Sequence, residues 1–232
     1  MAGAPLIVFD LDGTLVDTAP DLVATLNLML VREHLPPVSF EIGRKMVGGG
    51  ARVMLERGLA AEGVAVPAAK LDQMERDFIA HYAAHIADTS RAFPDVEVVL
   101  DRLSQRGCGL AVCTNKLEWL SLRLLEALGL VEQFSAICGP DTFGISKPMP
   151  EILHRTMARA GLQSGPAVMV GDSITDIATA RAAGIPIIAV DFGYSVTPVS
   201  ELSPDRVVSS FAELPGAIFD VLGGPTGFKR NG

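Results

Sequence analysis

"VFDLDGTLVDT", residues 8–18, runs an apolar strand-like segment straight into Asp10 and Asp12, with Gly13 and Thr14 behind them. Carboxylates at the rim of a core repel each other and lose hydration, so this pair needs partners from elsewhere in the chain. Four further apolar runs end in small or polar residues: GLAVCTN at 109–115, SAICG at 135–139, AVMVGD at 167–172 and PIIAV at 186–190. Helical spacing fills the intervals, as in Val96, Val99, Leu100 and Leu103, or Leu117, Leu120, Leu124 and Leu128. Strands alternating with amphipathic helices predict an α/β fold around a parallel sheet.

The alternation fails between Asp17 and Ala87, where helical patterns recur without a strand. Leu71, Met74, Phe78, Tyr82 and His85 share one helix face, and VGGGA at 47–51 breaks the run before them. A helical insertion is therefore expected immediately after the first strand. The expected organisation is a core at 1–16 and 88–222, an insertion at 17–87 and a Gly-rich flexible tail at 223–232.

With 232 residues, 49% hydrophobic and 20% charged, the chain can bury a sizeable core. A net charge of −8 disfavours nucleic-acid binding, which needs clustered Lys and Arg, so any anionic ligand must be held by local positive groups. The N-terminal apolar run Leu6–Phe9 is too short for a signal-peptide core or a membrane span, and no membrane partner and a cytoplasmic location are expected. Cys108, Cys113 and Cys138 have no C-x-x-C spacing and lie in or beside apolar runs, which predicts reduced core residues.

Ligands of open parallel sheets bind outside the carboxyl ends of the strands. Asp10 and Asp12 follow the first run, Thr114 and Asn115 the second, and Asp172 the fourth; Lys147 in SKPMPE can reach the same edge. Three aspartates suit a hard cation such as Mg²⁺, while Lys147 and Thr114 suit anionic oxygens, so together they describe a phosphate site. Two aspartates two residues apart can divide the labour. Asp10 suits attack on phosphorus, and Asp12 suits protonation of the leaving oxygen followed by activation of water. In GDSITD, Asp172 and Asp176 can both face a metal if a helix starts near Ser173.

DLDGT, VCTN, SKP and GDSITD, in that order and separated by α/β-like spans, resemble the four motifs of the haloacid-dehalogenase-like phosphohydrolases. The likeness covers roughly residues 5–220 and is closest to the phosphoglycolate phosphatase group, through DLDGTLVDTAPDL, VGGGA, CTNK, LLEALGL and VGDSITDI. It implies a Rossmann-like core with a helical cap inserted after the first strand, an Mg²⁺ cofactor and a small phosphorylated metabolite as substrate. Asp10 then matches the nucleophile, Asp12 the general acid/base, and Thr114 and Lys147, with Asn115 beside them, the phosphate-holding residues. Asp172 matches the principal metal carboxylate, joined by Asp10 and the Asp12 backbone carbonyl, with Asp176 as an alternate metal carboxylate or one that supports the ligands from behind. A family segment that often reads F-P-G-V reads FPDV here, placing Asp95 where the glycine stands.

The reaction this implies is Mg²⁺-dependent hydrolysis of 2-phosphoglycolate through an aspartyl phosphate, by a monomer or homodimer. Competing readings are a sugar-phosphate mutase, a phosphonate hydrolase, which would need a desolvated cap lysine such as Lys45 or Lys70, another small-phosphate phosphatase of the same superfamily, a catalytically inactive binding relative, which the complete set of acidic, threonine and lysine positions argues against, and a phosphorylatable signalling receiver. The acidic pair at the start of the chain and the helical insertion argue against the receiver. Gly48, Gly49 and Gly50, with Arg52, are expected to meet the substrate carboxylate. His81 and His85 have the spacing of a helix metal pair, but without neighbouring ligands a packed histidine is the expectation at 85.

Overall fold

The computed structural model of the chain describes residues 5–161 and 165–223, so the expected tail, beyond Gly223, lies outside the described residues. In chain order come β1 (Leu6–Phe9), β2 (Val16–Asp17), α1 (Ala19–Arg32), α2 (Phe40–Arg44), α3 (Ala51–Ala61), α4 (Ala68–Ala84) and β3 (Arg91–Ala92). They are followed by α5 (Val96–Gln105), β4 (Gly109–Cys113), α6 (Glu118–Ala127), β5 (Ala136–Cys138), α7 (Pro140–Phe143) and α8 (Pro150–Arg159). The chain continues through β6 (Ala167–Gly171), α9 (Ile174–Ala182), β7 (Ile187–Val190), β8 (Arg206–Val208) and α10 (Leu214–Val221).

Six strands form one parallel sheet in the order β5-β4-β1-β6-β7-β8. Every residue of β1 is buried, because the strand is central and helices cover both faces, which is why it reads as an unbroken apolar run. Its side chains alternate between two cores: Ile7 and Phe9 face one, Leu6 and Val8 the other. Phe9 lies in register with Val112 of β4 and Val170 of β6. Asp10, Thr114 and Asp172 therefore leave the sheet within one residue of the same level. All three cysteines are free and buried.

Between β2 and β3 lie α1 to α4, forming the helical cap, with α4 packed on α1 and α3. β2 and β3 pair antiparallel, Val16 with Ala92 and Asp17 with Arg91, so the chain leaves and rejoins the core through one short ribbon. The Asp21 carboxylate of α1 reinforces it, accepting hydrogen bonds from the Thr89 and Ser90 amides and the Ser90 hydroxyl at 2.7–3.0 Å. Burial works to raise the pKa of Asp21, but these hydrogen bonds outweigh it and hold the group below the usual carboxylate range.

Two expectations need adjustment. Leu71, Met74, Phe78 and Tyr82 are buried along α4 as their spacing predicts, but His85 is exposed. The helix ends at Ala84, so His85 leaves the apolar face, stacks on His81 with ring centroids 4.4 Å apart, and pairs with Asp88 at 2.7 Å. Asp95, at the start of α5, has φ +66°, a left-handed conformation natural to glycine that Asp adopts more readily than most residues.

Candidate active site

Lys147 occupies the centre of the sheet's carboxyl edge. Its ammonium nitrogen lies 2.8 Å from Oδ1 of Asp10 and 2.6 Å from Oδ1 of Asp176, with the lysine side chain 1% exposed. Asn115 fixes the loop that carries it: Oδ1 accepts from the Lys147 amide at 2.9 Å, and Nδ2 donates to the Lys147 carbonyl at 3.3 Å. Asn115 therefore acts on the Lys147 backbone. Thr114 is buried beside it, donating its amide to the Cys138 carbonyl at 3.1 Å and accepting the Lys116 amide at its hydroxyl at 3.2 Å.

Asp10, Asp172 and Asp176 each present a carboxylate oxygen, these atoms lying within 4.8 Å of one another, and all three residues are buried. Asp172 accepts the Tyr194 amide at 2.6 Å and the Thr14 hydroxyl at 3.3 Å. It sits between two glycines: a Cβ on Gly13, whose φ is +85°, or on Gly193 would collide with the Asp172 carboxylate. Asp176 and Ser173 cap the start of α9 reciprocally, Oδ2 accepting the Ser173 amide and hydroxyl at 3.1 and 2.6 Å while Ser173 Oγ accepts the Asp176 amide.

The electrostatics follow from this crowding. Burial, reinforced by the Asp176 charge and opposed by Lys147, pushes Asp10 up to about 7. Burial, then the charges of Asp176 and Asp10, push Asp172 well above the usual range. Burial disfavours the Lys147 ammonium, yet the flanking carboxylates prevail and raise it above an ordinary lysine. Three buried carboxylates facing one ammonium leave negative charge uncompensated. A cluster of buried oxygen donors, one cradled by glycines, fits a hard divalent cation.

Asp12 is held differently. Its Oδ1 accepts the Thr18 hydroxyl at 2.7 Å, and Lys116 Nζ reaches both carboxylate oxygens at 2.8 and 3.0 Å. Lys116 is itself buried, lying 4.6 Å from the centroid of the Tyr82 ring of α4, and Asp12 raises its pKa although burial opposes the charge. Sequence reasoning missed this lysine, because only folding brings it to Asp12, 104 positions away. Tyr194 was missed as well. Its hydroxyl donates to Asp17 at 2.6 Å and accepts the Ala19 amide at 3.0 Å, joining the Asp172 side of the site to the start of the insertion.

Gly48 and Gly50 line a narrow gap with Asp10, Asp12, Thr114, Asn115 and Lys116. On one side opens a cavity of about 330 Å³, walled by apolar residues that include Leu22, Val53, Phe78 and Leu120, with Tyr82 and Lys116 among them. A second, more polar cavity of about 310 Å³ lies toward Asp172, Lys45 and Thr197. Gly49 borders both. Arg52 also lines the first cavity, but its guanidinium is committed to Asp72 at 2.7 Å and Glu75 at 2.9 Å of α4. It braces α3 against α4 and is not an uncommitted cation awaiting a carboxylate.

The sequence pattern of haloacid dehalogenase-like hydrolases matches residues 7–190. The chain belongs to the haloacid dehalogenase-like hydrolases. This hydrolase is 47% identical over 219 residues to the phosphoglycolate phosphatase of Agrobacterium fabrum, covering 94% of each chain. It is 49% identical over 210 residues to that of Mesorhizobium japonicum, covering 90% of this chain and 92% of the relative. A crystal structure of a predicted phosphoglycolate phosphatase from Haemophilus somnus superposes with a TM-score of 0.86 at 30% identity, covering 94% of this chain and 99% of the other. Among the described residues no helix is long and apolar enough to cross a membrane.

Proposed function

We propose that this phosphatase hydrolyses 2-phosphoglycolate to glycolate and phosphate, with Mg²⁺ as cofactor, in the cytoplasm and as a monomer or homodimer. The observation that carries the chemistry is Lys147 bridging Asp10 and Asp176 inside a buried three-carboxylate cluster at the sheet edge. The names of the relatives, at 47–49% identity over most of each chain, support the substrate.

In this reading Lys147 and Thr114 hold phosphoryl oxygens while Asn115 keeps the Lys147 loop in place. Asp10 attacks phosphorus, the bond to the ester oxygen breaks, and Asp12 gives that oxygen a proton. The aspartyl phosphate on Asp10 is then cleaved by a water whose proton Asp12 takes, releasing phosphate and returning Asp10 to the carboxylate and Asp12 to the protonated acid that began the cycle. A carboxylate approaching a phosphoryl oxygen meets about 4 kcal/mol of repulsion per unit-charge pair at 4 Å and an effective dielectric near 20. Mg²⁺, held by Asp10, Asp172, Asp176 and the Asp12 carbonyl, would supply the positive charge that offsets it.

A phosphonate hydrolase is disfavoured by the lysines of the insertion. Lys70 is half-exposed and ion-paired with Glu33 at 2.5 Å, and Lys45 is exposed, so neither is a desolvated amine. Phosphate release from a panel of phosphoesters, with Mg²⁺ and with excess chelator, tests the proposal. It expects 2-phosphoglycolate to be the preferred substrate and activity to vanish with chelation; full activity in chelator, or indifference to 2-phosphoglycolate, would overturn it.

A further inference from the structure

We infer that Lys116 and Tyr82 form the specificity-determining pair for the non-phosphate end of the substrate, receiving its carboxylate between the lysine ammonium and the tyrosine hydroxyl. This rests on the reading of the site as a 2-phosphoglycolate phosphatase and assigns the residues that would make that choice.

Two independent observations lead to it. The Tyr82 hydroxyl is buried and makes no hydrogen bond of good geometry, having only the Lys116 ammonium to interact with weakly, although its residue borders a cavity of about 330 Å³. A buried hydroxyl without a well-formed hydrogen bond is costly, and a ligand acceptor would satisfy it. Beside it, Lys116 offers three donors, of which the contacts to the two Asp12 oxygens use two. Lys116 lies over the Tyr82 ring, 4.6 Å from its centroid, so the ammonium and the tyrosine belong to one wall of the same cavity.

The other cations near the cleft are less suited. Arg52 is shared between two carboxylates, Asp72 and Glu75, and Lys147 between Asp10 and Asp176, whereas Lys116 faces the single carboxylate of Asp12; Lys45 and Arg57, on the second cavity, are exposed, where water weakens their attraction, and Arg57 donates to the Met46 carbonyl. Lys116 is buried against apolar walls, where the same attraction is stronger. Connectivity agrees with this placement. If Asp12 protonates the ester oxygen, the substituent on that oxygen lies beside the Asp12 carboxylate, which Lys116 grips. A carboxylate one carbon beyond that oxygen falls within the lysine's reach.

The test compares kcat and KM for 2-phosphoglycolate with those for 2-hydroxyethyl phosphate, which replaces the carboxylate by a hydroxymethyl group of similar size. Wild type, Tyr82→Phe, Lys116→Met and Lys45→Met are measured with saturating Mg²⁺. Wild type should favour 2-phosphoglycolate by about 100-fold in kcat/KM or more, as expected of a site built around a charged group. Tyr82→Phe should cut that preference by about tenfold, mainly through KM, and Lys116→Met by about 50-fold, while Lys45→Met keeps the ratio within about twofold. Tyr82→Phe removes only a hydroxyl that lacks a well-formed hydrogen bond, so it provides the test even if Lys116→Met fails to fold. Equal losses on both substrates would make the pair a support for Asp12 alone, and a ratio that collapses in Lys45→Met would move the carboxylate to the other cavity; either overturns the inference. A wild type without the preference removes the 2-phosphoglycolate reading and this inference with it, whereas a preference kept in both Tyr82→Phe and Lys116→Met removes this inference only.

Discussion

Lys147 Nζ stands 2.8 Å from Oδ1 of Asp10, so the proposed nucleophile and the principal cation of the site face each other in a largely desolvated place. Removing one member of a buried pair strands the other, at a cost of about 3–5 kcal/mol. Lys147→Met should lower the free energy of unfolding by about that amount in metal-free protein, read from denaturant titration, and should reduce turnover by at least about 100-fold. A variant as stable as wild type would show that Asp10 and Asp176 do not depend on this lysine.

The raised pKa of Asp10 makes metal-free stability depend on pH in a definite direction. Its folded value of about 7 exceeds the unfolded 3.8, so between those limits the folded state holds the proton more tightly. Stability is then favoured below pH 4 by this group and lost as pH rises through about 7, by up to ~4 kcal/mol. Asp10→Asn, which cannot ionise, should abolish turnover and also flatten this part of the profile. Thermal unfolding in chelator, wild type against Asp10→Asn from pH 4.5 to 8, checks it; parallel profiles would contradict it.

Thr18 and Lys116 fix the Asp12 carboxylate from two sides, which suits a group that must meet the ester oxygen reproducibly. Asp12→Asn should slow hydrolysis of alkyl phosphates by about 10²–10⁴-fold, because an alkoxide needs a proton to leave. With nitrophenyl phosphate, whose leaving group needs no proton, the loss in the first half-reaction should be much smaller. The check is the burst of nitrophenol in rapid-mixing kinetics. Equal losses for both leaving groups in that step would remove the acid role.

Asp95 lies outside the site and yields a stability prediction. Its φ of +66° carries a steric cost that glycine escapes, and its side chain makes no capping hydrogen bond to offset it. Asp95→Gly should therefore raise stability by about 0.5–1 kcal/mol, or roughly 1–4 °C in Tm for a chain of this size. A fall in Tm would mean that the carboxylate contributes more than its geometry suggests.

The strands that build the site are legible in the sequence because a parallel strand covered on both faces must be apolar throughout, as in Leu6–Phe9 and Ala167–Gly171. β8 escaped notice, since Arg206 and Val207 are exposed at the sheet edge and leave only Val208 buried. The β2–β3 ribbon escaped because two residues per strand carry no periodicity. Asp10 and Asp172 could be brought together from strand ends, as backbone position dictates where they emerge, and Asp176 from the helix expected near Ser173, whereas Lys147, in a loop nine residues beyond β5, could only be said to reach the same edge. Lys116 and Arg52 could not. The burial of Lys116 depends on Tyr82 and on Asp12, 104 positions away, and the neutralisation of Arg52 depends on acids 20 and 23 positions away that face it only once α3 packs on α4.

The ribbon in which Val16 pairs with Ala92 and Asp17 with Arg91 has an evolutionary consequence. Because the two ends of the insertion are bonded neighbours, the core meets it as a closed loop, and loop-closure entropy grows only slowly with length, by about 0.6 kcal/mol per doubling. Helices between these ends can lengthen, shrink or be exchanged for another unit while the sheet and its phosphate chemistry persist. The ribbon is thus a splice point, at which a lineage can try new selectivity without rebuilding the catalyst, and at which a cap from a relative could be grafted onto this core.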